Sequence, residues 1–442
     1  MHQRTCRLGY ALNAFPYETL DGMWDVLKNK VPEIKKRVFG DDKFYIELRL
    51  SQKIVDELAG SDRILKELRD FLFQHNLALI TLNAFVPLTF HEGYVKERVY
   101  LPNWHEGEER VTFTKACIDI LAFLAPEDET FVSLSVPGGI LKTYLTETNK
   151  DQIHSQIAVN MTRCVLHAYE TERKTGKRCA IGMEPEPGLT YERIPEVREF
   201  FTNYVDRVGA EFLAGQRSNQ EPDFSKDSKR LEEAKNVIHQ FLGVTFDTCH
   251  QLVQYEDLIQ SVQFLQQSRI KIFKVQVSNA IQVDNPLKKV EDMEVIEKYF
   301  MNSRFLHQVV GINAERKPVI FSLDLPYLFT PEGKNELARR GVTQLRTHYH
   351  VPVFENPQAG IQTTIQELKN FLREFIFLPD PGDNPSSKIL GEEVPLIIET
   401  YTWVEQIAHK AGTGTGDLST NIANELEYVR RVLEEKGFRC RS

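Results

Sequence analysis

The sequence predicts an α/β protein of the (β/α)8 barrel class, and three observations carry that expectation. Eight short apolar runs of strand length recur along the 442 residues. Segments with helical spacing separate them. Several runs are apolar nearly throughout, as strands covered on both faces must be. Eight strands alternating with helices are what a closed parallel barrel gives. A doubly wound open sheet is the competing arrangement, but no Gly-rich phosphate turn follows the first run.

The runs, in order, are "CRLGYALNAF" (6–15), "FYIELRLS" (44–51), "LALITLNAF" (77–85), "FVSLSVPGG" (131–139), "CAIGMEPEP" (179–187), "GVTFDTCH" (243–250), "IKIFKVQVSNA" (270–280) and "PLIIETYTW" (395–403). Between them, Leu65, Leu68, Phe71 and Leu72 mark one helix, and Cys117, Ile118, Ile120, Leu121 and Leu124 another that ends before Pro126. A long helix over 151–174 stops at Gly176, and residues 363–377 return the chain to the last strand. Residues 1–405 thus read as the barrel, with insertions at about 86–111, 211–232 and 281–346. The first is a long loop, the second a polar, irregular surface segment, and the third an excursion with helical pieces of its own. Residues 406–442 read as a C-terminal extension, one amphipathic helix over 417–437.

Charge narrows the partners. Lys and Arg number 54 against 63 Asp and Glu, a net charge of −9. That balance argues against a general nucleic-acid surface, which depends on neutralising phosphates. No run reaches the roughly 20 apolar residues needed to span a bilayer, and the N-terminus carries no apolar h-region, so neither a membrane span nor a secretory signal is expected. Six scattered cysteines with no CxxC pair fit a reduced, cytoplasmic protein.

Candidate chemistry sits where the runs end, since barrel active sites are built from the carboxyl ends of the strands. Run five closes on Glu184 and Glu186, two carboxylates on one strand face that repel unless a cation lies between them. Run six closes on Asp247, with His250 three residues on; an acid and an imidazole suit a divalent metal. Cys249 between them reads as a small buried residue. Run seven presents Lys274, Gln276 and Ser278 on one face. Run eight carries Glu399 after aliphatic residues, and a buried carboxylate needs a partner. Ahead of it, "RTHYHVPVF" places His348 and His350 at a same-face spacing if extended.

At these residues the chain resembles the xylose isomerase-like barrels, a superfamily of sugar and sugar-phosphate isomerases and epimerases that also holds endonuclease IV. The resemblance implies metal ligands at Glu184, Asp247 with His250, the strand-seven position, and Glu399, and "His350-Val-Pro" is similar to the His-x-Pro loop of many members. One departure stands out. Gln276 occupies the strand-seven position where the family has a His, and an amide oxygen is a poorer ligand for zinc than for magnesium or manganese. Three outcomes are open: a metal held more weakly, His350 as the substitute, or metal chemistry lost. The segments "LGYALNAFPYETLDGMWDVL", "FHEGYVKERVYLPNW", "EPEPG", "FDTCHQ", "KVQVSNA", "THYHVPVF" and "ETYTW" resemble the EboE family of metabolite traffic proteins from bacterial ebo clusters, associated with handling secondary metabolites.

What this implies is one divalent ion (Mn, Mg, Zn or Co) and proton transfer on a small polyol, sugar phosphate or related metabolite, with Glu184 and Glu399 as base and acid. Glu186, Asn13, Asn83, His91, Lys274, His348 and His350 would contact substrate, the 86–111 loop closing over it. The alternative is a non-catalytic metabolite-binding or scaffold protein docking on partners from the same cluster. An endonuclease IV-like nuclease comes third, because it needs more histidines than the sequence places and the charge is unfavourable.

Overall fold

The computed structural model describes residues 4–91, 93, 95–217, 228–301, 304–354, 362–374, 394–402 and 417–440. Strands β1 (Arg4–Ala11), β2 (Phe44–Arg49), β3 (Leu77–Asn83), β4 (Phe131–Pro137), β5 (Arg178–Glu184), β6 (Leu242–Asp247) and β7 (Ile272–Val277) lie side by side in chain order, each parallel to the next. A closing strand, Pro395–Ile398, pairs in parallel with both β7 and β1. That second pairing closes the sheet, so the chain forms the expected eight-stranded barrel.

The interstrand helices follow the apolar spacing. Helix Asp62–Gln74 buries Leu68 and Leu72, and Ser61 caps it by accepting from the Ile64 N–H. Helix Lys150–Thr175 ends where Gly176 takes a left-handed φ of 74°, a conformation a Cβ would strain. The C-terminal helix Leu418–Glu434 starts at an Asp417 cap and packs on the helix Val31–Val38. At Gly9 a Cβ would sit 2.5 Å from the Tyr45 carbonyl oxygen of β2, so that close approach requires glycine.

Two expectations change. Run seven does not continue to residue 280 as one barrel strand: β7 stops at Val277, and β8 (Asn279–Asp284) turns out of the barrel into another sheet. The 281–346 excursion is not merely helical pieces. It supplies β9 (Val309–Ile312), β10 (Pro318–Ser322) and the start of β11 (Gln344–Val351), which with β8 and β12 (Gln362–Thr363) form an antiparallel sheet ordered β10-β9-β11-β8-β12. This sheet has a core of its own, with Ile281, Val309, Ile320 and Leu345 packed under helices Val290–Phe300 and Pro331–Arg339. Of the 211–232 insertion, residues 211–217 and 228–232 are helical, and 218–227 lie outside the described residues, as do 403–416 of the C-terminal segment.

Inside the barrel the floor is polar. Lys274 Nζ, fully buried, lies 2.6 Å from Glu47 Oε2 and donates to Ser135 Oγ at 2.9 Å, while Thr81 Oγ1 donates to the same Glu47 oxygen. Among the described residues no helix is long and apolar enough to cross a membrane.

Candidate metal centre

Barrel strand ends position most of the functional side chains. Glu184 is the last residue of β5 and Glu186 follows two residues later. Asp247, the last residue of β6, caps the short helix Thr248–Val253: its Oδ1 accepts from the His250 N–H at 3.1 Å and from Ser278 Oγ at 2.9 Å. The cap therefore fixes the Asp–His spacing, because it places His250 on the first turn beside the acid. Glu399 immediately follows the closing strand, and its Oε1 accepts from Asn13 Nδ2 (2.6 Å) and Asn83 Nδ2 (3.3 Å). Gln276 Nε2 donates to Glu399 Oε2, leaving Gln276 Oε1 buried without a hydrogen-bond partner among the described residues.

The remaining ligating groups come from the inserted sheet. His348 and His350 lie on β11, in the stretch where its register with β8 shifts between Thr347 and Val351. An irregularity of this kind re-aims side chains, here toward the barrel mouth. Three imidazole Nε2 atoms then converge: His250 to His348 at 3.0 Å, His348 to His350 at 3.0 Å, and His350 to His250 at 3.4 Å. Their Nδ1 atoms point elsewhere, to Pro185 O (3.0 Å), Gln308 Oε1 (2.7 Å) and Glu399 O (3.0 Å) respectively. All three partners are acceptors, so each Nδ1 carries the proton and each Nε2 presents a bare lone pair.

A pocket opens on this cluster, lined on one side by Glu184, Glu186, His250, His348, His350 and Glu399, and enclosing about 430 Å³ free of protein atoms, part of it open to solvent. Its other side is largely apolar, with Phe85, Val86, Phe90, Val99 and Tyr401. Arg49 also borders it, but its guanidinium is bound to Glu18 Oε2 and to the carbonyls of Tyr17, Val86 and Leu88.

The electrostatics are those of a centre that lacks positive charge. Burial, and next the charge of Glu399, push Glu184 well above the usual carboxylate range; burial also raises Glu399. Glu186 is raised to about 8 by burial, despite hydrogen bonds from Tyr100 and Gln308. Burial opposes ionisation of Asp247 too, but the imidazoles of His250 and His350 and its two donors more than offset it, and the acid sits below its ordinary value. Burial lowers His250 to about 4 and holds His348 well below the ordinary imidazole value, so a proton shared between these two rings is disfavoured at neutral pH. Buried Asp247 Oδ2 and Glu184 Oε2 have no hydrogen-bond partner among the described residues. Three facing lone pairs and two orphaned carboxylate oxygens are what a divalent cation satisfies, and the donor set therefore fits one. Cys249 borders the set, its Sγ within 4.8 Å of a ring nitrogen of both His348 and His350. Its thiol, pushed up by burial, packs in an apolar cluster with Val253, Ala280 and Val310.

The structure thus brings Glu184, Glu186, Asp247, His250, Gln276, His348, His350, Glu399, Asn13 and Asn83 together. Two other expected contacts lie apart from the pocket lining. Lys274 is engaged at the floor with Glu47. His91 donates its backbone N–H to Glu18, and burial lowers its imidazole to about 3. Sequence reasoning missed Gln308 and Tyr100. Gln308 orients His348 while its Nε2 donates to Tyr100 Oη (2.7 Å) and Glu186 Oε1 (3.0 Å), and Tyr100 Oη donates to Glu186 at 2.7 Å. Neither residue carries a sequence signal beyond lying in an insertion.

No protein-family model matches the chain, and no curated protein matches it. Solved structures do align along nearly its whole length. A xylose isomerase-like TIM barrel protein from Mycobacterium smegmatis, in complex with magnesium, gives a TM-score of 0.47 at 11% identity, covering 98% of this chain and 98% of that one. A probable 3-DHS dehydratase, AsbF, of petrobactin synthesis in Bacillus anthracis gives 0.43 at 10%, covering 96% and 98%. The IOLI protein with a binding zinc atom gives 0.44 at 12%, covering 97% and 99%. At such identities the likeness is one of fold.

Proposed function

We propose that this protein is a divalent-metal-dependent isomerase or epimerase that moves a proton within a small polyol-like metabolite. The observation that carries the reading is the convergence of Glu184, Asp247 and Glu399 with the bare Nε2 atoms of His250 and His350 at the mouth of the barrel. Glu184, Asp247 and Glu399 would hold the ion, which when bound would polarise a carbonyl or hydroxyl oxygen as a Lewis acid.

The chain's own residues do the rest. Glu184 and Glu399 come from strands separated by two others, and burial raises both above the ordinary carboxylate value, which favours a carboxyl that can hold a proton for transfer. Asn13 and Asn83 hold Glu399 in place with neutral donors. Glu186, fixed by Tyr100 and Gln308, is available to a substrate hydroxyl. The aromatic and aliphatic wall excludes water and packs against a carbon skeleton. Arg49 is already committed to Glu18 and three carbonyls, which favours an uncharged polyol over a sugar phosphate. The resemblance to EboE proteins supports a substrate drawn from secondary metabolism.

One observation favours the second reading, a binding protein without turnover. Both oxygens of Glu399 already accept amide N–H groups, so it is less free to take a proton. Incubating the metal-loaded protein with polyols, ketoses and their phosphates in D2O separates the two. Deuterium incorporation, abolished by Glu399→Gln, supports proton transfer. Tight binding with no exchange in any ligand supports the carrier.

A further inference from the structure

The buried face of the C-terminal helix Leu418–Glu434 carries a single charged side chain. Helical spacing turns Ile422, Leu426, Val429 and Val432 inward, and Glu425 stands among them, fully buried. A carboxylate there is costly unless donors satisfy it, and an aliphatic side chain would fill the place without that cost. Three donors do converge on it. Glu425 Oε1 accepts from Thr400 Oγ1 at 2.8 Å and from the Val353 N–H at 3.0 Å, and Oε2 accepts from Tyr10 Oη at 2.7 Å.

Each donor belongs to a segment that carries part of the centre. Thr400 directly follows Glu399. Val353 lies three residues beyond His350, and the chain between them is stiff: Pro352 fixes one φ, while Asn279 Nδ2 donates to the carbonyls of Val351 (3.0 Å) and Pro352 (2.9 Å). Tyr10 pairs with Ile398 across the ladder that closes the barrel, three residues before Asn13, whose amide donates to Glu399 Oε1. Strand pairing does not set Glu399 against His350. The closing strand belongs to the barrel and β11 to the inserted sheet, and among the described residues no ladder joins the two. Two kinds of contact join them instead. His350 Nδ1 donates to the Glu399 carbonyl and Thr402 Oγ1 to the His350 carbonyl, and the Glu425 carboxylate holds both segments from the helix.

We propose that Glu425 is a positioning residue for the metal centre, its carboxylate fixing Glu399 relative to His350. The proposal rests on the metal-centre reading above. A ligand set works only when its members are held to about 0.5 Å, and contacts behind the ligands do that holding. Glu425 acts through the backbone beside Glu399 and His350. The C-terminal helix is thereby part of the site and not only a cover over the barrel wall.

The test measures Co2+ affinity of chelator-stripped full-length protein, with urea unfolding of the same stripped samples. Glu425→Met fills the space and accepts no hydrogen bond, and should weaken cobalt binding by about 10–100-fold. Glu425→Gln keeps an acceptor for Thr400 and Val353 and should restore most of the affinity. Leu426→Ala controls for a loosened helix: it opens a cavity on the same face and should lower the unfolding midpoint, yet bind cobalt like the wild type. If Glu425→Met does not fold, Thr400→Val, which removes one of the three donors, should still weaken binding measurably. Wild-type affinity in folded Glu425→Met, or in Thr400→Val where that variant stands in for it, overturns the positioning role and leaves the proposed function standing. So does a Leu426→Ala loss as large as that of Glu425→Met, or no rescue by Glu425→Gln. A wild type that folds and binds no cobalt overturns the metal-centre reading and this proposal with it.

Discussion

Lys274 and Gln276 stand two residues apart on β7 and face the same interior, yet the polar clusters around them follow opposite rules. At the floor, Lys274 meets one carboxylate, Glu47, at 2.6 Å, and Ser135 and Thr81 supply further hydrogen bonds. Charge is balanced there, and the ammonium is held above its ordinary value because the surrounding carboxylates outweigh the cost of its burial. At the mouth, Glu184, Glu186, Asp247 and Glu399 gather equally deep, and among the described residues none is ion-paired to a Lys or Arg. Equal burial with unequal neutralisation teaches that the floor carries its own counter-charge, while the mouth is arranged for a charge the described residues do not supply.

Several measurements break or sharpen this contrast. The largest effect is expected at the floor. Lys274→Met strands Glu47 in the barrel and should lower stability by about 3–5 kcal/mol in denaturant unfolding. Glu184→Gln in chelator-stripped protein removes an uncompensated buried acid and should leave stability unchanged or raised. If the two variants cost the same, the contrast fails.

Next comes a buried acid with ordinary partners, Glu256, which accepts from the Ile194 N–H and is raised to about 7, chiefly by burial. Because its folded value exceeds the unfolded one, its contribution is fully present below about pH 4.5 and is lost as pH rises toward 7. Glu256→Gln should remove that slope and gain on the order of 3 kcal/mol relative to wild type at pH 8. Parallel stability–pH curves for the two proteins would contradict this.

Adding metal to the stripped protein should restore what the mouth lacks. At a hundredfold excess over Kd the expected gain is about 2.7 kcal/mol, seen as a rise in Tm that is absent in Asp247→Ala. The smallest effect concerns the outer contacts. Gln308→Leu frees the Nδ1 of His348 and should weaken metal affinity by about 10–100-fold without changing the fold.

The barrel was legible because its strands announce themselves locally. β2, β3 and β6 are buried throughout, and a strand covered on both faces is apolar over most of its length, with polar side chains only where the barrel interior pairs them. The strand-end acids were legible for the same reason, since a charged residue closing such a run has few places to go. Run seven misled because Ser278 interrupts nothing in the apolar pattern: "KVQVSNAIQV" reads as one strand, yet the chain changes sheets within it. The antiparallel sheet was hidden for a different reason. Its central pair, β8 with β11, joins Asp284 to Gln344 across a long stretch of chain, and no local periodicity encodes a pairing at that separation. With the sheet unseen, His348 and His350 could be assigned to substrate, and His350 to the place of the absent strand-seven His, but the strand that carries them could not be named.

The most direct test of the metal centre is elemental analysis of protein purified without chelators, wild type beside Asp247→Ala. The account predicts about one equivalent of divalent metal in the wild type and its loss in the variant, because Asp247 is one of the carboxylates that would hold the ion. Trace metal that is the same in both proteins would contradict it. The convergence at the mouth would then be a polar core, and the carrier reading would take its place.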